Sequence, residues 1–422
     1  MSRYQPLQPL ISNDEQEVVV YAADNFSQYP TRNASVSSRC DRALVAASHR
    51  DVVVLRGELD QEFHRWLRSL ELSTDHIVEY KQPATGRTLS ELVLDNPLPI
   101  QNMVRKLGRS PVYVPWFSTR FEAKAAESID AKLFGATETE TLRYNDKAGF
   151  KELCQTLNIP VVEGDTLPIR ANDSANFSEL EALVDLYRTK HKTVIIRGTL
   201  GVSAMSLYKT QGGALSDLYR QIVASGEPIV LVEPFLEVFS SPNDQWAIDR
   251  DGAITHIGMF EQVCKQGMIH VGNLKGVGPF GATYDTIKHA SLKVVTRMAE
   301  TGYCGIIGID YIVSNEGIFP VENNARFNGS SYVHLLVEHL EQKVGAIPCW
   351  KFIKLNIPPC SFASLADRLS PVIYDGERTN SVFPLNCDEL SLTGVFALVV
   401  LAQNIEYLDS LQRELTALGL GS

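Results

Sequence analysis

Gly305-Ile306-Ile307-Gly308-Ile309-Asp310-Tyr311-Ile312-Val313, followed by Ile318-Phe319-Pro320-Val321-Glu322-Asn323-Asn324, is the stretch on which the reading of this chain turns. The first run has strand length and is almost wholly apolar, yet it carries an acid at its centre. A buried carboxylate without a partner costs several kcal/mol, so something must compensate it. The second run holds another acid at a matching position. If Asn315-Glu316-Gly317 closes a three-residue hairpin loop with Gly317 in the left-handed conformation, Asp310 falls opposite Glu322. Period-two alternation then brings Asn324 to the same face. Two carboxylates and an amide oxygen make a hard donor set suited to Mg²⁺ or Mn²⁺. A register slip of one residue would scatter the three, and the alternative is that one acid simply meets an Arg, with Arg326 the candidate.

Outward from this hairpin, the pattern is of alternating strands and helices. Val18 to Tyr21 and Val52 to Leu55 are short β-branched runs, and Gln61 to Leu72 has helical spacing, so the first part of the chain reads as an α/β lobe. The Pro-rich stretch Asn96 to Pro115 is expected to be irregular. Asn145 and Asp146 are good N-caps for a helix from Lys147 to about Leu157. Strands are expected at Val194 to Arg197, at Ala204 to Tyr208, and at Pro228 to Val238 with an interruption at Glu233-Pro234. Trp246 to Phe260 reads as a hairpin turning at Asp249-Arg250-Asp251-Gly252, because Asp-Gly supplies the backbone angles. An amphipathic helix near Ile287 to Thr301 leads into the acid-bearing hairpin, and the tail from about Gly345 reads as a small α/β cap.

Composition narrows the classes of function. The chain has 422 residues, enough for two to four packed lobes. Its 44% hydrophobic and 21% charged residues are ordinary for a folded soluble protein. No segment approaches the ~20 apolar residues of a membrane span. The net charge of −11 opposes a nucleic-acid partner. The seven cysteines are scattered without a Cys-x-x-Cys pair, so buried thiols are expected rather than zinc or disulfides. Met1 to Asn13 lacks a basic patch followed by an apolar run, and the expected location is the cytoplasm. Gly276-Val277-Gly278-Pro279-Phe280-Gly281 matches Gly-x-Gly-x-x-Gly, but Asn273-Leu274-Lys275 is a poor strand end, so a loop is expected there. Lys275 on that loop would stand near the substrates.

Gly308-Ile309-Asp310-Tyr311 followed by Val321-Glu322-Asn323-Asn324-Ala325-Arg326-Phe327-Asn328-Gly329-Ser330 resembles the ATP-grasp signature, a Gly-x-Asp-Phe strand followed by Glu-x-Asn-x-Arg and a Gly-Ser turn. The resemblance implies that Asp310, Glu322 and Asn324 bind Mg²⁺, and that Arg326 faces the acyl-phosphate end of the site. Asp146-Lys147 is similar to the family's Asp-Lys pair with a phosphate-contacting lysine, although position alone equally suits a solvated surface lysine. Val194-Ile195-Ile196-Arg197 and the loop Gly198 to Ala204, which contains Ser203, resemble the strand and loop that close over the triphosphate. The family usually has Lys where Arg197 stands; Arg keeps the charge and can hold phosphate in a bidentate manner. Val230-Leu231-Val232-Glu233-Pro234-Phe235-Leu236 is similar to the strand whose backbone pairs with adenine. Pro234 has no N–H, which leaves Phe235 or Leu236 as the donor, and Glu237 or Asp244 for the ribose hydroxyls.

The implied architecture is α/β, an ATP-grasp fold between a Rossmann-like pre-ATP-grasp domain and a small C-terminal α/β domain, with bounds 1–141, 142–229, 230–344 and 345–422. Ser241-Pro242-Asn243-Asp244-Gln245, Phe260-Glu261-Gln262 and Ser381-Val382-Phe383-Pro384-Leu385 look like the subfamily of the pheganomycin peptide ligase, whose plan a carrier-protein ligase of butirosin biosynthesis shares. What this implies is an ATP- and Mg²⁺-dependent carboxylate–amine ligase working through an acyl phosphate in peptide natural-product biosynthesis, with Arg326 and Arg197 as catalytic residues. Small carboxylate and amine substrates are the implied partners, with a homodimer as a further one. Two readings stay open beside it: loading of an amino acid onto a carrier-protein thiol, and nucleotide binding without catalysis, for which Arg197 is the hint.

Overall fold

The computed structural model describes residues 8–12, 16–24, 39–81, 87–171, 173–199, 206–265, 269–278 and 280–421. Among these, eighteen strands form three sheets. The first sheet contains β1 (Glu17–Ala22), β2 (Val52–Arg56), β3 (Ile77–Tyr80), β4 (Ser110–Pro115) and β5 (Lys132–Leu133), all parallel in the order β3-β2-β1-β4-β5. The valine runs of β1 and β2 are buried, as a sheet covered on both faces requires. The Pro-rich stretch is regular, contrary to expectation: a helix spans Leu98–Leu107 and β4 follows it. Pro97 and Pro99 sit at the helix start, where a missing N–H costs nothing, and Pro111 and Pro115 fall near the strand's ends.

The second sheet is antiparallel, with β6 (Asp165–Pro168), β7 (Val194–Gly198), β8 (Leu207–Thr210) and β9 (Ile229–Pro234) in the order β6-β9-β7-β8. Helices Ser174–Arg188 and Leu215–Ser225 pack on it through Leu180, Val184 and Ile222. The expected strand at Ala204 to Tyr208 starts later, at Leu207; Ala204 lies outside the described residues.

The third sheet runs β10 (Val238–Ser240), β14 (Gly305–Ser314), β11 (Pro242–Ile248), β12 (Ile254–Lys265), β13 (Ile269–Lys275), β16 (Cys349–Asn356), β18 (Val395–Ala402) and β17 (Ser381–Leu385), with β15 (Gly317–Asn324) on the free side of β14. The tail therefore continues the same sheet, through β13 and β16. Several contacts tie the part of the chain that carries the parallel sheet to the rest. Glu17 at the start of β1 takes Arg250 of the β11–β12 turn at 2.5 Å, and Asp41 accepts the backbone N–H of Cys387 at 2.6 Å. Phe63 of the helix Gln61–Ser69 packs on Phe362 with ring centres 5.0 Å apart.

A strand does end directly before Gly276, which corrects the expectation of a loop over Asn273 to Lys275. β13 is nevertheless antiparallel to both its neighbours, and the helix Ala282–Glu300 leads to β14, which does not pair with it. The parallel strand–helix–strand unit of a dinucleotide site is absent here. No helix among the described residues is long and apolar enough to cross a membrane.

Candidate functional site

The hairpin reaches the expected pairing by a different route. Ser314 pairs with Gly317, so the loop is the two residues Asn315-Glu316, with Gly317 at φ 145°, where a side chain would be strained. On that register Asp310 would face Val321. A bulge between Asp310 and Tyr311 absorbs one residue, and Asp310 pairs with Glu322 as the alternation requires. Pro320 suits this irregular edge because it has no N–H to pair. The carbonyl of Val321, the bulged residue, accepts from Arg197 at 3.0 Å.

Asp310, Glu322 and Asn324 share one face. Asn324 Nδ2 donates to Asp310 Oδ2 at 3.0 Å, and Asn324 Oδ1 accepts from Arg326 at 2.6 Å. Asp310 Oδ1 accepts from Asn243 of β11 at 2.6 Å and from Gln262 of β12 at 2.7 Å. Burial and the facing charge of Glu322 raise the Asp310 carboxyl above its ordinary range, against the pull of those amides and Arg326. Burial would raise Glu322 too, but Lys147, Arg326 and Arg197 outweigh it and hold this acid low. Gly308 lets Asn328 pack closely on β14: a Cβ there would lie 2.5 Å from Asn328 Nδ2.

Lys147 is the first residue of the helix Lys147–Thr156, capped by Asp146, whose side chain accepts from the Gly149 N–H. The lysine is buried, not a solvated surface group, and reaches Glu322 Oε1 at 3.0 Å. Arg197 on β7 forms a two-pronged contact with Glu233 Oε2 at 2.9 and 2.6 Å, and Lys151 meets Glu233 Oε1 at 2.7 Å. Glu233 thus lines the cleft with its carboxylate already engaged by two cations.

The cleft lies between β7–β9 and the β14–β15 hairpin. Lys147, Arg197, Glu233, Gln262, Asp310 and Glu322 form its polar part. Ile195 and Leu207 wall it on one lobe, and Ile312 and Val321 on the other. Phe235 donates its backbone N–H to Thr193 at 2.9 Å, so of the two expected adenine donors only Leu236 remains. Lys209 covers the Phe235 ring at 3.6 Å.

Several expected residues lie elsewhere. Asp244 is fully buried on the opposite face of β11, where it accepts from His256 at 2.7 Å and Trp246 Nε1 at 2.8 Å, so it does not reach the cleft. Strand parity is the reason: its neighbour Asn243 pairs with Asp310, and successive residues point to opposite faces. Glu237 is exposed and does not line the cleft. Lys275 lies away from it, with its ammonium 5.1 Å from the Phe260 ring centre. Ser203 lies outside the described residues. Sequence reasoning missed Lys151, Asn243 and Gln262 as site residues. The amides at least left a signal, since each stands in a strand beside an acid.

The donor chemistry fits a hard divalent cation: two carboxylates facing one another, one of them raised by burial and by the other's charge, with an amide beside them. Among the described residues no group of three or more His, Cys, Asp or Glu is placed to hold a metal ion, and here the two acids stand with one amide. To present its oxygen to a cation beside Asp310, Asn324 must turn its amide and release Arg326.

No protein-family model and no curated protein matches the chain. Solved structures do. Biotin carboxylase from Campylobacter jejuni, crystallised as a β,γ-ATP complex, superposes with a TM-score of 0.61 at 13% identity, over 95% of this chain and 91% of that one. The carboxyaminoimidazole ribonucleotide synthase of Aspergillus clavatus complexed with ATP gives 0.59 at 13% identity, over 96% and 98%. The biotin carboxylase domain of Hydrogenobacter thermophilus 2-oxoglutarate carboxylase, crystallised with MgADP and bicarbonate, gives 0.58 at 14%, over 95% and 89%. The chain has the ATP-grasp fold.

Proposed function

We propose that the protein is an ATP- and Mg²⁺-dependent ligase that activates a carboxylic acid as its acyl phosphate and transfers the acyl group to an amine. The observation that carries this reading is the placement of Asp310 and Glu322 in the cleft beside Lys147 and Arg197, with Asn324 on the same face of the hairpin. Asp310, Glu322 and Asn324 would hold Mg²⁺, which when bound neutralises phosphate charge. Lys147 and Arg197 would face the phosphates, Leu236 N–H the adenine edge, and Ile195, Ile312 and Val321 the two faces of the base. Arg326, freed as Asn324 turns, would hold the activated acid. Burial of these groups keeps water from the reacting carbonyl. Within this reading, residues 142–229 and 230–344 are the two grasping lobes, flanked by 1–141 and 345–422, and the subfamily is that of the pheganomycin-type peptide ligases.

The test is incubation with ATP, MgCl₂ and a panel of amino acids and short peptides, followed by mass spectrometry. Amide products that vanish when magnesium is removed, and in Glu322→Gln, are expected. Phosphate release that requires an added carrier protein would move the acceptor to a thiol. ATP binding without turnover under any substrate set would overturn catalysis itself.

A further inference from the structure

Asn243, which holds Asp310, is itself held from behind, and the bonds that hold it run in a single direction. Asn243 and Gln245 stand two residues apart on β11, on the face that Asp310 shares. Asn243 Nδ2 donates to Asp310 Oδ1 at 2.6 Å, and Asn243 Oδ1 accepts from Gln245 Nε2 at 2.7 Å. Gln245 Oε1 in turn accepts from Ser331 Oγ at 2.9 Å, and Ser331 Oγ accepts the backbone N–H of Asn328 at 3.0 Å. Ser330 Oγ takes the second proton of Gln245 Nε2. Both serines lie in the first turn of the helix Gly329–Val344, which Asn328 precedes. Gln245 and Ser331 are fully buried, and Asn243, Ser330 and Asn328 are nearly so.

The helix can approach the strand because Gln245 pairs with Gly308 on β14, where any Cβ would strike the Asn328 side chain at 2.5–2.7 Å. Asn328 also donates Nδ2 to Arg326 O at 3.1 Å, so the start of the helix is tied both to the strand behind Asp310 and to the segment that carries Arg326. The ends of the chain of bonds fix the orientation of everything between them. A backbone N–H can only donate, so Ser331 Oγ, having accepted from Asn328, has its own proton left for Gln245. That turns Gln245 Oε1 towards Ser331 and Nε2 towards Asn243. Asn243 must then accept with Oδ1, and its Nδ2 faces Asp310. Turning either amide over would set donor against donor or oxygen against oxygen in a buried site. Asp310 Oδ1 is thereby held by Asn243 and by Gln262 at 2.7 Å, whereas Oδ2 meets Asn324 Nδ2 at 3.0 Å. When Asn324 turns its amide to offer oxygen to a cation, Oδ2 is the Asp310 oxygen released.

We propose that Gln245 and Ser331 are positioning residues of the metal site: acting through Asn243, they hold Asp310 by Oδ1 so that Oδ2 is the oxygen presented to the divalent cation. The inference rests on the ligase reading for the identity of the site and adds the residues that aim one of its ligands. The two serines separate aiming from packing. Each makes one buried bond to Gln245, so loss of either hydroxyl costs similar stability. Ser331 sets the direction of the Gln245 amide. Ser330 receives the spare proton, and without it the chain from Asn328 to Asp310 is unbroken.

The experiment is Mn²⁺ binding to the full chain, read from the electron paramagnetic resonance signal of the free ion, beside thermal melting of the same samples. Ser331→Ala should weaken Mn²⁺ binding about tenfold, the lower end of what loss of an outer partner of a metal ligand does, and Ser331→Thr, which keeps the hydroxyl, should stay within about twofold of wild type. Ser330→Ala should lower the melting midpoint about as much as Ser331→Ala and leave Mn²⁺ affinity unchanged. Gln245→Met, similar in shape, should weaken binding at least as much as Ser331→Ala. Equal weakening in both alanine variants, or lower melting in both with unchanged Mn²⁺ affinity, would overturn the inference by reducing the network to packing. Magnesium-dependent amide formation in the same wild-type preparation would then leave the ligase standing. The expected Mn²⁺ pattern in a protein that forms no amide with any substrate would support the positioning role and sink the ligase. Wild type that binds no Mn²⁺ would overturn both.

Discussion

Glu233 offers the sharpest test of how the cleft is held together. Its carboxylate is the shared anion of Lys151 and Arg197, and the three side chains are only 4%, 10% and 11% exposed. Glu233→Leu leaves two cations enclosed without a counter-charge. Breaking a buried pair in this way costs roughly 3–5 kcal/mol, because the remaining charge keeps its desolvation penalty and loses its compensation. The thermal midpoint should fall by roughly 3–6 °C. Arg197 also spans the cleft to Val321 O, so its release should raise the KM for ATP by roughly tenfold. Differential scanning calorimetry of the variant, beside an ATP titration, measures both. The triple replacement Lys151→Met, Glu233→Leu, Arg197→Met separates stability from function: an apolar trio of similar volume should recover the midpoint but not ATP affinity. If Glu233→Leu melts within a degree or two of wild type, the network is not the structural clasp described here.

Three further outcomes are expected. Gln262→Leu or Asn243→Leu removes an amide donor from Asp310 and should weaken Mg²⁺ binding roughly 10–100-fold with little change in melting, as magnesium titration of turnover would show. Asp244→Asn should lower stability by about 1–3 kcal/mol through its His256 and Trp246 contacts and leave the KM for ATP unchanged, checked by urea denaturation and steady-state kinetics. Glu17, although buried, is held down to about 2 by Arg250 and Lys132. Its folded value lies below the unfolded one, so its contribution is full above about pH 4.5, fades as pH falls towards 2, and reaches at most about 3 kcal/mol. Arg250→Ala should therefore move acid unfolding to higher pH, with tryptophan fluorescence as the readout.

The hairpin shows how far local reading reaches. A polar residue in an apolar strand demands a partner, and the spacing of two such strands located it, so the pairing of Asp310 with Glu322 was legible. Its mechanism was not. A two-residue loop and a bulge give the same pairing as a three-residue loop, and only the structure shows that the bulge frees Val321 O for Arg197. The Pro-rich stretch misled because proline was weighed as a breaker, when its cost depends on whether it falls in a helix's first turn.

Beyond the ATP-grasp architecture, which a resemblance to the family's signature implied, the sequence by itself determined the face on which Asp310, Glu322 and Asn324 lie and the capped helix that begins at Lys147. These follow from periodicity, capping and short-range pairing, which are properties of neighbouring residues. Tertiary structure alone decided that Asp244 turns away from the cleft, that Phe235 spends its N–H on Thr193, and that Glu233 is clasped by Lys151 and Arg197. Each depends on which strand lies beside which, and that order comes from packing whole sheets against one another, over separations that local pattern does not encode.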